Sequence, residues 1–225
     1  MTRKTFQRLS EDVRRRELIE ATLNVVADHG LHAASARKIA AEAGVSAGLI
    51  RHYFASKDEM VREAYAYLIG MLTGQAARDA DAPDRSAESR LASFIARNLS
   101  EPNLSSFKVS LWATFIGVVR SDPEFDRIHK ESYGEFLEIL EGLIPEVLAA
   151  HGRSVTAAET KRLSIVVNGV IDGLWLEGSL EHGIYDPSGL AEIGVAACED
   201  LLHLPKGTLT RHIDLDARAQ DRARA

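Results

Sequence analysis

Residues 35–57, SARKIAAEAGVSAGLIRHYFASK, predict two short helices joined by a tight turn. Ser35 is a candidate N-cap for the first helix, because its hydroxyl can accept a hydrogen bond from a backbone N–H of the first turn. Gly44 follows where a left-handed residue ends many helices, since glycine has no Cβ to clash. Ser46 offers a second N-cap, for a helix over residues 47–54. The stretch therefore predicts a helix-turn-helix.

The second of these helices is expected to have an apolar and a polar face. Ile50 and Phe54 lie one turn apart and should face inward with Ile39 and Val45. The opposite surface carries Ala47, Gly48, Arg51 and His52. A helix that projects such a surface from a tight turn is typical of proteins that enter the major groove of DNA.

The side chains around this surface suit DNA contacts of two kinds. Arg51 has the bidentate fork that matches guanine, and the small Ala47 and Gly48 permit a close approach to base edges. Tyr53 and Lys57 are expected to reach phosphates, which position a protein without reading sequence. The candidate DNA-binding residues are Ser35, Arg37, Ser46, Ala47, Gly48, Leu49, Arg51, His52, Tyr53 and Lys57.

The motif A-R-K-I-A-x-x-A-G-V-S-x-G-x-I-x-x-Y-F-x-S-K-D-E within residues 14–64 resembles the DNA-binding segment of the TetR family. The resemblance implies an all-α, nine-helix fold. It also implies a DNA-binding domain at residues 1–56 with a three-helix head and an effector-binding and dimerisation domain at 57–205. The mixture of Arg, Asp and Ala with little apolar content predicts a flexible tail at 206–225. The triplet His52-Tyr53-Phe54 resembles the choline-sensing members of that family, in which serine stands at the position of Arg51. We therefore expect Arg51 to give the protein its own base preference.

The charge of the chain is divided unevenly between its two parts. The net charge is −6, yet residues 1–57 hold ten Lys/Arg and six Asp/Glu, a balance of +4, and the remainder has a balance of −10. A basic N-terminal part attracts the DNA polyanion while an acidic remainder faces away from it. Chance asymmetry is the alternative explanation.

The remaining helices are predicted from apolar spacing and from breaks at Pro and Gly. The first should run from about residue 11 to 29, after a mobile polar arm at residues 1–12, and the fourth from 57 to 80. The fourth begins at a capping box, Ser56 with Glu59, and should bury Met60, Ala64, Tyr67 and Met71. For Arg14–Arg16 two interpretations stay open, phosphate contacts or a solvated face. Later helices are expected at 87–100, 104–120, 123–142 with Pro145 as a kink or the start of an extension, 157–182 and 187–204.

The last two helices are expected to form a homodimer. The resemblance implies a four-helix bundle made by two such pairs. Gly169 and Gly173 permit close helix approach, and apolar residues surround much of the helix over residues 157–182. Packing within one subunit is the alternative. A two-fold dimer would read a near-palindromic double-stranded operator.

A candidate effector site lies among aromatic residues and one carboxylate. Asn168, Asp172 and Trp175 share one helix face at i, i+4 and i+7. The whole candidate set is Trp112, Phe115, Tyr133, Phe136, Asn168, Asp172 and Trp175. A carboxylate among aromatic faces suits a quaternary ammonium such as choline, through charge and cation–π attraction. Three interpretations stay open: core or interface residues, a cationic effector, or another small molecule.

Other classes of protein have less support. Residues 44–48 match G-x-S-x-G, but the preceding residues are helical and charged rather than a buried strand, so we expect no enzyme. We expect no metal site and no cofactor. No signal peptide or membrane span is predicted, and the single cysteine, Cys198, favours the cytoplasm. We therefore expect a homodimeric transcriptional repressor that a small-molecule effector releases from DNA. The alternatives are a ligand-independent DNA-binding or protein-interaction module and a ligand-dependent activator.

Overall fold

The computed structural model describes residues 3–180 and 189–213, and within them the chain is helical and has no strand. Nine α-helices and a 3₁₀ turn at Leu31–Ala33 follow one another in these residues. The helices are α1 (Arg3–His29), α2 (Ala36–Glu42), α3 (Ala47–Tyr53), α4 (Lys57–Ala80), α5 (Ala87–Asn98), α6 (Ser106–Val119), α7 (Pro123–Ala150), α8 (Ala157–Ser179) and α9 (Leu190–Leu201). The all-α fold expected from the sequence is confirmed.

One helix is longer than predicted, and another continues through a proline. α1 begins at Arg3, so the arm expected at residues 1–12 is helical from Arg3 onward. Its residues are mostly good helix formers with no Gly or Pro before Gly30, and this composition outweighs the polarity that suggested a mobile arm. α7 continues through Pro145 to Ala150 as a single helix.

The described residues divide into two compact units. The first unit contains residues up to Gly70 together with Ser110–Lys130, and the second contains Met71–Val109 and the residues from Glu131 onward. The helices α4, α6 and α7 each contribute residues to both units. The predicted domain division at residue 56 stays a prediction.

The core of the first unit forms around α1. Ile19, Leu23 and Val26 of α1 are buried, as are Ile39 of α2 and Ile50 of α3. Tyr65, Phe115 and Phe125 form an aromatic cluster, with the ring centroids of Tyr65 and Phe115 5.1 Å apart. Burial raises the pKa of Tyr65 to about 12, so its hydroxyl stays protonated and bonds to His129 Nδ1 at 3.0 Å.

An ion pair joins α4 to the start of α7 within this unit. Arg62 Nη2 donates to Asp122 Oδ2 at 3.0 Å. The other carboxylate oxygen of Asp122 accepts the backbone N–H of Glu124 at 2.9 Å, which satisfies a donor of the first turn of α7. The hydrogen bond from Arg62 lowers the pKa of Asp122.

The core of the second unit joins α5, α7, α8 and α9. Two glycines let these helices approach closely. A Cβ added at Gly178 would clash with Leu190 and lie 2.8 Å from Leu104 Cδ1, and one at Gly194 would clash with Leu99.

Within residues 3–180 and 189–213, no helix has both the length and the apolar character needed to cross a bilayer.

The segment after α9 differs from the flexible tail that we expected. Leu209 is fully buried, and Thr208 is also buried. Glu199 of α9 accepts backbone N–H groups from Gly207 at 2.8 Å and from Leu209 at 2.7 Å. These bonds fix residues 207–209 on α9, although the composition of the segment alone suggested little packing. The expectation for residues 214–225 lies outside the described residues.

Candidate nucleic-acid interface and effector site

The turn between α2 and α3 is built by local hydrogen bonds. Ser35 Oγ accepts from the N–H of Lys38 at 3.3 Å, and Ser46 Oγ accepts from the N–H of Leu49 at 3.3 Å. Gly44 has a φ of 65°, a left-handed value that favours glycine. Its N–H donates to Ala41, and that of Val45 donates to Ala40 at 2.9 Å, so both bonds close the end of α2. The caps predicted from the sequence are therefore present.

The two faces of α3 divide as the apolar spacing predicted. Ile50 and Phe54 are each 3% exposed, whereas Val45 is only half-buried. The outward face is open to solvent, with Leu49 and Tyr53 half-buried at its edges. The exposed candidates are Ser35, Arg37, Ser46, Ala47, Gly48, Arg51, His52 and Lys57. A ligand reaching this surface would meet α3 without any change in the core.

The electrostatics of this surface suit an anion. Arg37, Arg51 and Lys57 are exposed, and none of the three is in an ion pair with another described residue. Lys57 is the first residue of α4, where backbone N–H groups of the first turn favour negative charge. The charge of this surface therefore suits phosphate groups beside the outward face of α3.

The predicted capping box at the start of α4 is present in an altered form. Ser56 Oγ accepts the N–H of Glu59 at 3.0 Å, as a cap requires. The Glu59 carboxylate accepts from the N–H of Ala55 at 2.6 Å, one residue before the position that a capping box uses. Glu59 in the first turn of α4 thus fixes the connection between α3 and α4 through its bonds to Ala55 and Ser56.

Two of the three arginines at Arg14–Arg16 are engaged within the protein. Arg14 pairs with Glu17 one turn along the same exposed face. Arg15 Nε donates to Glu63 Oε2 at 3.0 Å, Nη2 donates to the other oxygen of Glu63, and Nη1 donates to the carbonyl of Tyr53 at 2.5 Å. Neither interpretation from the sequence, a phosphate contact or a solvated face, describes Arg15. No local pattern reveals this contact, because Arg15 and Glu63 are 48 positions apart.

Three of the effector candidates form a hydrogen-bonded chain in the second unit. The buried Asn168 donates through Nδ2 to Asp172 Oδ2 at 2.8 Å and to Tyr133 Oη at 3.0 Å. Asp172 itself is exposed, and Tyr133 is 40% exposed. The chain orients a carboxylate beside a phenol ring at the surface of α8, an arrangement that can bind a cation.

Trp175 is tied to the start of α6 rather than to that chain. Its Nε1–H donates to the carbonyl of Asn103 at 2.9 Å, and Lys108 Nζ donates to Asn103 Oδ1 at 3.3 Å. Burial lowers the pKa of Lys108, and Glu101 partly offsets that effect. A protonated Lys108 near the partner of Trp175 opposes a second cation at this point.

Two of the other aromatic candidates pack in cores. Phe115 is fully buried in the aromatic cluster of the first unit, and Phe136 is 8% exposed with its ring centroid 4.8 Å from that of Phe94 in the second unit. Trp112 is half-buried and belongs to the first unit. For Phe115 and Phe136 the burial favours the core interpretation that the sequence left open.

The second unit has apolar side chains exposed along α8 and α9. Val167 and Ile171 of α8 are buried, yet the same helix exposes Gly169 and Gly173, and a Cβ at either glycine would meet nothing within 4 Å. The exposed apolar side chains of this surface are Ile165, Val166, Leu176, Leu180, Ile193 and Leu201, at 37–54% exposure. Several large apolar side chains exposed on the same two helices are typical of an interaction surface.

Comparison with known protein families finds two matches that together cover most of the chain. Residues 18–64 match the bacterial regulatory proteins of the TetR family, and residues 87–203 match the BetI-type transcriptional repressor C-terminal domain. The HTH-type transcriptional regulator BetI of Serratia proteamaculans is 30% identical over 178 residues, which is 78% of this chain and 86% of that protein.

Solved structures with the same fold include other transcriptional regulators. A regulator from Pseudomonas aeruginosa PAO1 has a TM-score of 0.76 and 33% identity, covering 89% of this chain and 94% of its own. A regulator from Saccharomonospora viridis, solved in complex with choline, has a TM-score of 0.67 and 19% identity, covering 84% of this chain and 95% of its own. The chain therefore belongs to the TetR family and is a DNA-binding transcriptional regulator with a BetI-type C-terminal domain.

Proposed function

We propose that the protein is a homodimeric repressor that binds a near-palindromic double-stranded operator and is released from it by a small-molecule effector. The observation that carries the proposal is the outward face of α3, where Ala47, Gly48, Arg51 and His52 are exposed above a buried Ile50. A short, well-capped helix with a narrow start and one arginine fits the major groove. The location in the cytoplasm stays a prediction of the sequence.

The proposed DNA contacts divide by chemistry. Arg51 reads guanine, while Ala47 and Leu49 contact thymine methyl groups and Gly48 permits the approach. Ser35 and Ser46 each accept a hydrogen bond from their own helix and keep a hydroxyl hydrogen that can donate to a phosphate. The other contacts proposed for the backbone and groove edges come from Arg37, His52, Tyr53 and Lys57.

The homodimer is proposed to form through the exposed apolar surface of α8 and α9. A stable interface needs about 800 Å² on each partner, and two helices side by side offer a surface of that order. We expect sedimentation velocity to find a dimer for the wild type and a monomer for Ile193→Asp, because a carboxylate would be buried in the interface. Val13→Asp is the matched control, since Val13 is 55% exposed on α1 in the other unit. A wild-type monomer would contradict this part of the proposal.

The effector is proposed to be cationic and to bind at Asp172 and Tyr133. Asn168 holds the two groups in place, so the carboxylate supplies charge and the ring a π-face. α4 runs as one helix from Lys57, beside the DNA candidates, to Ala80 in the second unit, and we propose that it carries the movement between effector and DNA.

The direct test measures fluorescence anisotropy of the protein on DNA from upstream of its own gene, with choline as the probe. We expect tight binding that choline weakens, with the choline effect lost in Asp172→Asn and kept in Glu177→Gln, a carboxylate elsewhere on α8. By linkage, DNA must weaken choline binding by the same factor. Tight binding unaffected by choline would contradict the cationic effector, and the absence of DNA binding would contradict the repressor.

A further inference from the structure

Arg15 of α1 bonds to both the recognition helix α3 and the long helix α4. Its guanidinium makes two hydrogen bonds to Glu63 of α4 and one to the carbonyl of Tyr53, the last residue of α3. The same group lies 4.4 Å above the centre of the Phe54 ring. One side chain thus joins the C-terminal end of α3 to α4 through charge, hydrogen bonds and ring contact.

These contacts hold the C-terminal end of α3, which is a short helix. α3 has only seven residues, and the carbonyls of its last turn lack partners within the helix. A cation at that end satisfies one carbonyl and interacts favourably with the helix dipole. Glu63 in turn uses both carboxylate oxygens on Arg15, so the guanidinium has a defined orientation.

The first two turns of α4 hold the same end of α3 a second time. Glu59, one turn before Glu63, accepts the N–H of Ala55 at 2.6 Å and lies 4.0 Å from Arg15 Nη2. A rotation or shift of this part of α4 would carry both carboxylates with it. Arg15 and the Tyr53 carbonyl would then move as well.

We propose that Arg15 is a positioning residue for the recognition helix, which sets the angle of α3 by tying its end to Glu63 on α4. It does not itself contact DNA. This inference rests on the proposed function, since it names the link through which a movement of α4 changes DNA binding.

The test compares Arg15→Gln and Glu63→Gln with the double variant Arg15→Glu/Glu63→Arg. Arg14→Gln is the control, because Arg14 lies on the same helix, pairs with an exposed glutamate and has no described contact to α3 or α4. The DNA probes are a duplex selected by the wild type from a random library and a scrambled duplex of equal composition. Affinity is measured for both over a series of salt concentrations, and thermal unfolding is followed in parallel.

We expect Arg15→Gln and Glu63→Gln to lower affinity for the selected duplex about tenfold, or about 1.4 kcal/mol, with little change on the scrambled one. The salt slope should stay at the wild-type value, because no phosphate contact is removed. The charge-reversed double variant should recover only part of the discrimination, because it restores the ion pair to α4 while a carboxylate at position 15 cannot donate to the Tyr53 carbonyl.

The outcomes separate this inference from the proposed function. A wild type that selects no sequence overturns both. With selection intact, a salt slope lowered by about one in Arg15→Gln would assign Arg15 to a phosphate and overturn the positioning role. An equal loss on both duplexes, or Arg15→Gln behaving like Arg14→Gln, would overturn it too.

Discussion

Replacing Gly48 by alanine should weaken DNA binding without weakening the fold. Gly48 lies in the first turn of α3, with no positive φ, and an added Cβ would meet only Ser46 Oγ, at 3.8 Å. This is ordinary contact within the protein. The cost of the added methyl group should instead appear on DNA binding, because it would hinder the approach of α3 to a base edge, which glycine permits.

The two effects have opposite signs and can be sized separately. Alanine is favoured over glycine in a helix by up to about 1 kcal/mol, which raises the melting temperature by about 2–4 °C for a chain of this size. A methyl group forced into a packed interface costs about 1–3 kcal/mol, so affinity should fall roughly tenfold to a hundredfold. A loss of function with a gain in stability is the expected signature.

Anisotropy on the selected duplex and thermal unfolding measure the two effects on the same sample. Gly142→Ala in α7 is the matched control, because its added Cβ meets nothing within 4 Å and Gly142 is exposed in the second unit. It should be stabilised by a similar amount and bind DNA as the wild type does. If Gly48→Ala bound the duplex as tightly as the wild type, the N-terminal end of α3 would not lie close to the bases, and the role proposed for Gly48 would be wrong.

Four further predictions follow from other contacts. Arg51→Ala should relax base preference at one position by about 1–3 kcal/mol, whereas Lys57→Ala should weaken binding to every duplex and lower the salt slope by about one; equal slopes would contradict these roles. Gly178→Ala should cost about 1–3 kcal/mol in denaturant unfolding, because its Cβ clashes with leucine side chains; unchanged stability would mean that they move aside. Cys198, whose pKa burial raises to about 12, should react with a thiol reagent only on unfolding, and rapid labelling of the native chain would refute its burial. Asp122 has a pKa lowered below its ordinary 3.8, so its stabilisation is present above that value and is lost as pH falls through the folded pKa; the stability gap to Asp122→Asn should close in acid, and a constant gap would refute this.

The helix-turn-helix could be predicted from the sequence because its determinants are local. Ser35, Gly44 and Ser46 each act within a few residues of their own position, and every one of these caps is present. Asn168 and Asp172 were likewise predicted to share a face, and their one-turn spacing gives a hydrogen bond of 2.8 Å. In each case the backbone geometry of one helix is enough to bring the groups together.

Apart from the arm at residues 1–12, which is helical from Arg3 because of its local composition, the predictions that were wrong depended on contacts between distant segments. The stripe predicted for α4 included Tyr67 and Met71, but the structure buries Tyr65 and Leu68 while Tyr67 bonds to Glu20. Several faces of α4 carry apolar residues, so its periodicity alone does not select the face that neighbouring helices cover. The contacts of Glu199 with residues 207–209 and of Arg15 with Glu63 could not be predicted for a related reason. In neither case does the spacing of the residues along the sequence indicate the contact.

The most direct test of a homodimeric, sequence-specific DNA-binding protein is to select DNA with the wild type from a random-sequence library. The stoichiometry of the selected complex is then measured. We expect an enriched, near-palindromic site with half-sites about 34–36 Å apart, bound by two chains. No enriched sequence, or an asymmetric site bound by a single chain, would contradict it.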